Sequence, residues 1–167
     1  MISHPPRSLG PSWHIRPAGE DDCELLWQWA NEAAVRQAAF RTEPIPWENH
    51  QRWFTARLAS PATHIYLLED TDTRIPVGQV RYDEDEASPG YFSVDISVPH
   101  SMRGTGAGSM LLKMGEEYLR REVKVIRLLA EVKLQNVASL ALFRRHGYEE
   151  RPGAGPNGEA IVCFQKS

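Results

Sequence analysis

The stretch Arg103-Gly104-Thr105-Gly106-Ala107-Gly108-Ser109 carries the clearest chemistry in this chain. It follows a strand-like run from Tyr91 to Val98 and leads into a helix-like run, Ser109-Met110-Leu111-Leu112-Lys113-Met114. A glycine-rich turn between strand and helix leaves backbone N–H groups pointing outward at the positive end of a helix dipole. Such a turn suits phosphate, and without a ligand it is simply a flexible helix start. It is not a Walker loop, because no lysine follows the glycines until Lys113, already inside the helix. Nor is it a dinucleotide fingerprint: Ser109 stands where a third glycine belongs, and the loop lies past mid-chain.

About twenty residues on, a branched run from Val125 to Val132 reads as a strand. It is followed by Asn136, a helical run from Val137 to Arg145 and the stop His146-Gly147-Tyr148. Two motifs in this order, Arg103-Gly104-x-Gly106-x-Gly108 and Glu131-Val132-x-x-x-Asn136-x-x-Ser139-x-x-x-Phe143-x-x-x-Gly147-Tyr148, resemble the GNAT superfamily of acyl-CoA N-acyltransferases over residues 91–149. The resemblance implies acetyl-CoA as cofactor, coenzyme A as product and a primary amine as acceptor.

Elements that could position these residues follow from pattern. Trp13 to Pro17 is a short strand. Asp21-Asp22-Cys23-Glu24 resembles a capping box opening a helix from Leu25 to Asn31. Pro46 begins a second helix, Trp47 to Leu58, with Trp47, Phe54 and Leu58 on its buried side. His64–Glu69 and Val77–Tyr82 form a hairpin around the turn 70–73, and an acidic turn, 84–90, precedes the strand from Tyr91. The last strand is Ala160–Phe164, and residues 151–158, with three glycines and two prolines, read as a mobile loop between the last two strands. The order predicts an α+β single domain with a mixed, mostly antiparallel sheet and helices on both faces. The resemblance adds that the sheet splays between its fourth and fifth strands. Residues 1–12 read as a flexible tail and 13–167 as the domain.

Composition agrees with one soluble domain: 167 residues, 41 % apolar and 25 % charged, with a net charge of −3. That balance carries no basic signature for nucleic acid, and no run is long enough to span a membrane. Two distant cysteines, Cys23 and Cys163, suggest reduced thiols and a cytoplasmic setting. No His, Cys and acidic spacing suggests a metal. The chain is expected to act as a monomer or homodimer.

Acyl transfer to an amine needs the acyl-CoA held, the thioester polarised and a proton taken from the incoming ammonium. The resemblance implies that backbone from Arg103 to Ser109 (Gly104, Thr105, Gly106, Ala107 and Gly108 between them) takes the pyrophosphate. It implies that Ile96, Ser97 and Val98 pair with the pantetheine amides, with Ile96 and Val98 facing the core. Asn136, Ser139 and Phe143 complete that arm, although Asn136 also reads as a helix N-cap. Glu131 occupies the place of a general-base glutamate in ribosomal-protein alanine acetyltransferases, with Asp95 on the neighbouring strand as its rival. Where the family commonly has a tyrosine as thiolate proton donor this chain has Phe143, leaving Tyr148 and Ser139 as substitutes.

The resemblance implies that the acceptor side is built by the first two helices and the loop between them, with the last hairpin. Its tryptophans and arginines resemble nucleotide-amino-sugar acetyltransferases, which implies Arg36 or Arg41 on a diphosphate and Trp47 against a ring. An amino sugar carried on a nucleotide is therefore the leading acceptor. A protein or peptide N-terminus and a non-catalytic acyl-CoA-binding module are the alternatives. A peptide cleft should be open and acidic; a nucleotide-sugar site should show arginines.

Overall fold

The computed structural model describes residues 12–167, so the expected tail lies outside the described residues apart from Ser12, whose carbonyl accepts the Thr71 N–H at 2.8 Å. Twelve elements follow in chain order: β1 (Trp13–Pro17), α1 (Cys23–Ala30), α2 (Ala33–Ala38), α3 (Trp47–Ala59), β2 (Thr63–Asp70), β3 (Pro76–Glu84), β4 (Tyr91–Ser97), α4 (Ala107–Glu122), β5 (Arg127–Lys133), α5 (Val137–Arg145), β6 (Glu149–Ala154) and β7 (Ala160–Lys166). They build one seven-stranded sheet of order β1-β2-β3-β4-β5-β7-β6, antiparallel except where β4 meets β5.

Strand β2 shows how the sheet takes helices on both faces. Its residues Ile65 to Leu68 are all buried, because alternate side chains enter different cores. Ile65 and Leu67 join Leu26, Trp29 and Phe54 beneath α1 and α3. Tyr66 and Leu68 join the larger core with Leu111, Leu112 and Leu119 of α4 and Leu140 and Phe143 of α5. Helix α4 lies close to the sheet because Gly115 has no side chain. A Cβ there would meet the Tyr82 hydroxyl and Val80 Cγ1, each at 2.8 Å. Gly115→Ala should therefore destabilise the fold by about 1–3 kcal/mol through overpacking, even though alanine is the better helix former. A chemical denaturation midpoint that rose instead would show that the helix can back away.

Four features differ from the sequence expectation. The six helical residues of α2 are too few to show a period, and none is buried. The cap of the first helical segment shifts by a register: Asp22, not Asp21, organises it, accepting the Gly19 N–H at 2.7 Å. Arg16 bonds both Asp22 carboxylate oxygens at 2.7 and 2.8 Å, and this pairing with the Gly19 bond holds the buried Asp22 carboxyl below its usual range against the opposing effect of burial. Strand β5 starts at Arg127 rather than Val125. Residues 151–154, expected in a mobile loop, continue β6, where Pro152 pairs opposite Val162. An edge strand tolerates proline because its outer N–H has no ladder partner to lose.

Candidate active site

The parallel ladder between β4 and β5 is short. It joins Tyr91, Phe92 and Ser93 to Arg127, Leu128 and Leu129, and then stops. Beyond it β4 runs on to Ser97 and β5 to Lys133, so the strands part as expected. Two cavities occupy the opening and share Val35, Ala38, Ile96, Ser97, Asn136 and Ser139 as walls.

The cavity of about 460 Å³ lies at the glycine loop. Gly104 (φ 74°) and Gly106 (φ 89°) hold left-handed backbone that other residues adopt only with strain, and an added Cβ at either meets nothing within 4 Å. The space above them is open, and the first N–H groups of α4 have no carbonyl within the helix to bond. Arg103, Gly104, Gly106, Ala107, Gly108 and Ser109 line this cavity, with Val98. Thr105 does not: its hydroxyl donates back to the Met102 carbonyl at 2.6 Å, which leaves only its backbone for a ligand. Arg103 bonds the Val98 carbonyl at 3.4 Å. Arg145, which sequence reasoning passed over, reaches the same cavity from the last turn of α5.

At the junction, Asn136 caps α5, its Oδ1 accepting the Ser139 N–H at 3.2 Å. Its amide nitrogen takes no partner among the described residues. The Ser97 hydroxyl is buried and likewise unpartnered. An extended ligand with amide groups along the parted strands would satisfy both, so the residues present fit the pantetheine arm that the motifs imply. Ile96 and Val98 are half-buried against the larger core. Phe143 lines the second cavity but is 2 % exposed and stacks on Phe164, with centroids 5.4 Å apart. Tyr148, one proposed stand-in proton donor, lies outside both cavities and spends its hydroxyl on Glu116 at 2.8 Å. Burial and the Glu116 charge push its pKa far up. Ser139 remains within reach of both cavities.

The second cavity, about 520 Å³, is lined by both candidate carboxylates, Asp95 and Glu131. Continuing the register of Ser93 with Leu129 puts Asp95 opposite Glu131 across the gap, and residues paired in a parallel ladder point to the same face. Both are exposed and both line the cavity, so the two rivals reach it from the two parted strands. They are not equivalent. Asp95 lies opposite Arg81 of β3, whose Nη1 is 3.6 Å from it. Arg81 also pairs with Asp83 at 2.6 Å and stacks over Trp53, its guanidinium carbon 5.1 Å from the ring centroid. Burial works against the Arg81 charge, but the two carboxylates outweigh it and its pKa is raised. Glu131 has no cationic partner among the described residues. Its neighbour on β7 is Cys163, whose thiol is pushed up by burial and then by the Glu131 charge.

The remaining cations of this cavity are committed. Arg36 gives its Nε to the Ala30 carbonyl at 2.5 Å and its Nη1 to the Arg41 and Glu43 carbonyls at 3.1 and 3.5 Å. It braces the loop after α2. Lys133, 6 % exposed, pairs with Glu159 at 3.0 Å and donates to the Gln37 carbonyl at 3.3 Å. His50 contacts the Cys23 carbonyl at 3.0 Å, and burial, against that bond, lowers its pKa, so it is neutral. Arg41 and Trp47 do not line the cavity. Trp47 packs edge-on against Trp27, 5.3 Å between centroids, and stacks on His50. The tryptophans that do line the cavity are Trp29 of α1 and Trp53 of α3. Helical spacing alone does not distinguish these rings; the side of α3 that meets the cavity does. Among the described residues no group of His, Cys, Asp and Glu is arranged to hold a metal, and no helix is long and apolar enough to cross a membrane.

The profile of a family described as acetyltransferase (GNAT) domain matches residues 13–149. Among solved structures, the chain is similar to spermidine N-acetyltransferase from Vibrio cholerae in complex with CoA and spermine (TM-score 0.81, 14 % identity, 92 % of this chain and 94 % of that one). It is also similar to ribosomal-protein-alanine N-acetyltransferase from Brucella melitensis (TM-score 0.76, 27 % identity, 92 % and 98 %). A third is a ribosomal L7/L12 alpha-N-protein acetyltransferase in complex with coenzyme A (TM-score 0.78, 17 % identity, 96 % of each). A search of curated protein sequences gave no match.

Proposed function

The chain belongs to the GNAT acetyltransferase family and is an acetyl-CoA-dependent N-acetyltransferase, and from that premise we propose that its acceptor is the α-amino group of a peptide or protein. The observation that carries this reading is the charge state of the acceptor cavity. Two carboxylates, Asp95 and Glu131, face into it, while Arg36, Arg81 and Lys133 are each held by carbonyls or carboxylates of the protein itself. A cationic ammonium gains from such a cavity; a nucleotide diphosphate meets only Arg36, whose Nε and Nη1 are already given to backbone carbonyls. The nucleotide-linked amino sugar is the second reading, because Arg36 braces the loop after α2 and Arg41 does not line the cavity. The 27 % identity to a ribosomal-protein-alanine enzyme over nearly the whole chain points the same way.

In this reading acetyl-CoA, when bound, supplies the activated acetyl group and a thiolate leaving group. The first turn of α4 binds its phosphates through backbone N–H groups. The parted strands hold its arm by the β4 backbone from Ile96, with Asn136 and Ser97 adding polar contacts. Asp95, braced by Arg81, attracts and orients the ammonium. Glu131 takes its proton. Tyr148 being excluded, the thiolate takes its proton from water, directly or relayed through the Ser139 hydroxyl, which is reprotonated by water in turn. The free thiols of Cys23 and Cys163 suit a cytoplasmic setting.

A competition experiment tests the acceptor reading. At saturating acetyl-CoA, uridine diphosphate should not inhibit competitively against a peptide acceptor, whereas Asp95→Asn should raise the peptide KM about tenfold with a smaller loss in kcat. Competitive inhibition by uridine diphosphate at micromolar concentration would return the cavity to a nucleotide-sugar.

A further inference from the structure

Ser109 and His146 meet at the phosphate loop, Oγ to Nε2 at 2.6 Å. Ser109 is the third residue of α4 and lines the loop cavity; His146 ends α5 and is half-buried behind it. We propose that His146 is a positioning residue for the coenzyme A pyrophosphate, setting which way the Ser109 hydroxyl proton points. The inference rests on the reading of residues 103–109 as the phosphate site.

Proton count decides which ligand the hydroxyl can serve. A hydroxyl has a single proton, and a phosphate oxygen only accepts. If the imidazole accepts at Nε2, the Ser109 proton is spent on it and the first turn of α4 shows phosphate a lone pair. If the imidazole donates from Nε2, the Ser109 oxygen accepts that bond and its proton is free for phosphate. Bound phosphate therefore selects the donating states of His146, either the Nε2–H tautomer or the imidazolium. The imidazolium adds a positive charge behind the hydroxyl, so the ligand favours it over the neutral ring.

The groups facing His146 fix the sign of the pH effect. Burial lowers its pKa; Glu116 of α4 raises it, while Lys166 of β7 and Arg145 beside it lower it. In the free protein the ring is thus neutral at pH 7. Bound phosphate raises the pKa above the free-state value. Affinity for coenzyme A then increases as pH falls through the window between the two values and is flat on either side.

Calorimetric titration with coenzyme A from about pH 8 to about pH 5.5 tests this on four variants. His146→Gln keeps an amide that can donate and removes the titration. It should hold the wild-type affinity at the alkaline end and lose the acid-side gain, about fivefold relative to wild type. Taking the difference between these two proteins cancels titration of the ligand's own phosphate. His146→Ala should likewise lose the acid-side gain, because no imidazolium then stands behind the Ser109 hydroxyl. Ser109→Ala should lose a similar factor and make the His146 substitutions silent when combined with them. The proposal is overturned if His146→Gln and wild type run parallel with pH, or if Ser109→Ala binds as wild type while Gly106→Asp does not. Unchanged binding in Gly106→Asp as well would instead overturn the phosphate-loop reading on which the proposal rests.

Discussion

Glu131→Gln should lower turnover with a peptide acceptor by about 10²-fold or more near neutral pH. The amine arrives as an ammonium and has no lone pair until a proton leaves it. Glutamine keeps the shape of Glu131 at its place on β5 but cannot take the proton. Of the two carboxylates, Asp95 is already engaged by Arg81 at 3.6 Å, while Glu131 carries no cationic partner among the described residues and is the better placed to accept. The loss should shrink as pH rises, because a growing share of the acceptor is then free amine. Stopped-flow or steady-state detection of released thiol across pH reads this directly. A loss of the same size at every pH would assign Glu131 to orientation and move the base to Asp95 or solvent.

Gly106→Asp should weaken acetyl-CoA binding by at least about tenfold, or ~1.4 kcal/mol, with kcat at saturating acetyl-CoA much less affected. Two effects add. The backbone at Gly106 has φ 89°, where an L side chain is strained, and the new carboxylate would stand where phosphate oxygens are held. Gly106→Ala separates them. Nothing lies within 4 Å of its Cβ, so alanine carries the backbone strain without the charge. If aspartate and alanine weaken binding equally, the loop positions the ligand by shape and not by its field.

The geometry of the glycine loop proposed for the cofactor was legible in the sequence because its signal is local. Gly104 and Gly106 need left-handed backbone at fixed offsets from a helix start, and that need writes itself into adjacent residues. Asn136 showed its cap in the same way. The acceptor side was not legible because its meaning depends on partners far apart in the chain. Arg36 reads as a free cation until the fold folds the carbonyls of Ala30, Arg41 and Glu43 onto it. Arg81 carries no motif; it matters because β3 pairs with β4 in the register that sets it against Asp95. Asp95 and Glu131 looked like alternatives because their spacing in sequence says nothing of a parallel register across a gap. Within the fold, the short α2 was missed for want of periodicity, and the strand before the last was read without its glycine- and proline-bearing end at 151–154, whereas the long buried strands and α4 were read from their pattern.

The most direct measurement is to locate the transferred acetyl group. Incubated with acetyl-CoA, the protein should acetylate the α-amine of a peptide bearing a free N-terminal alanine, as read by fragment mass spectrometry of the product. It should leave untouched both the same peptide with its α-amine blocked and a uridine-diphosphate 4-amino-sugar. Acetylation of the sugar with the free peptide unmodified would contradict the account.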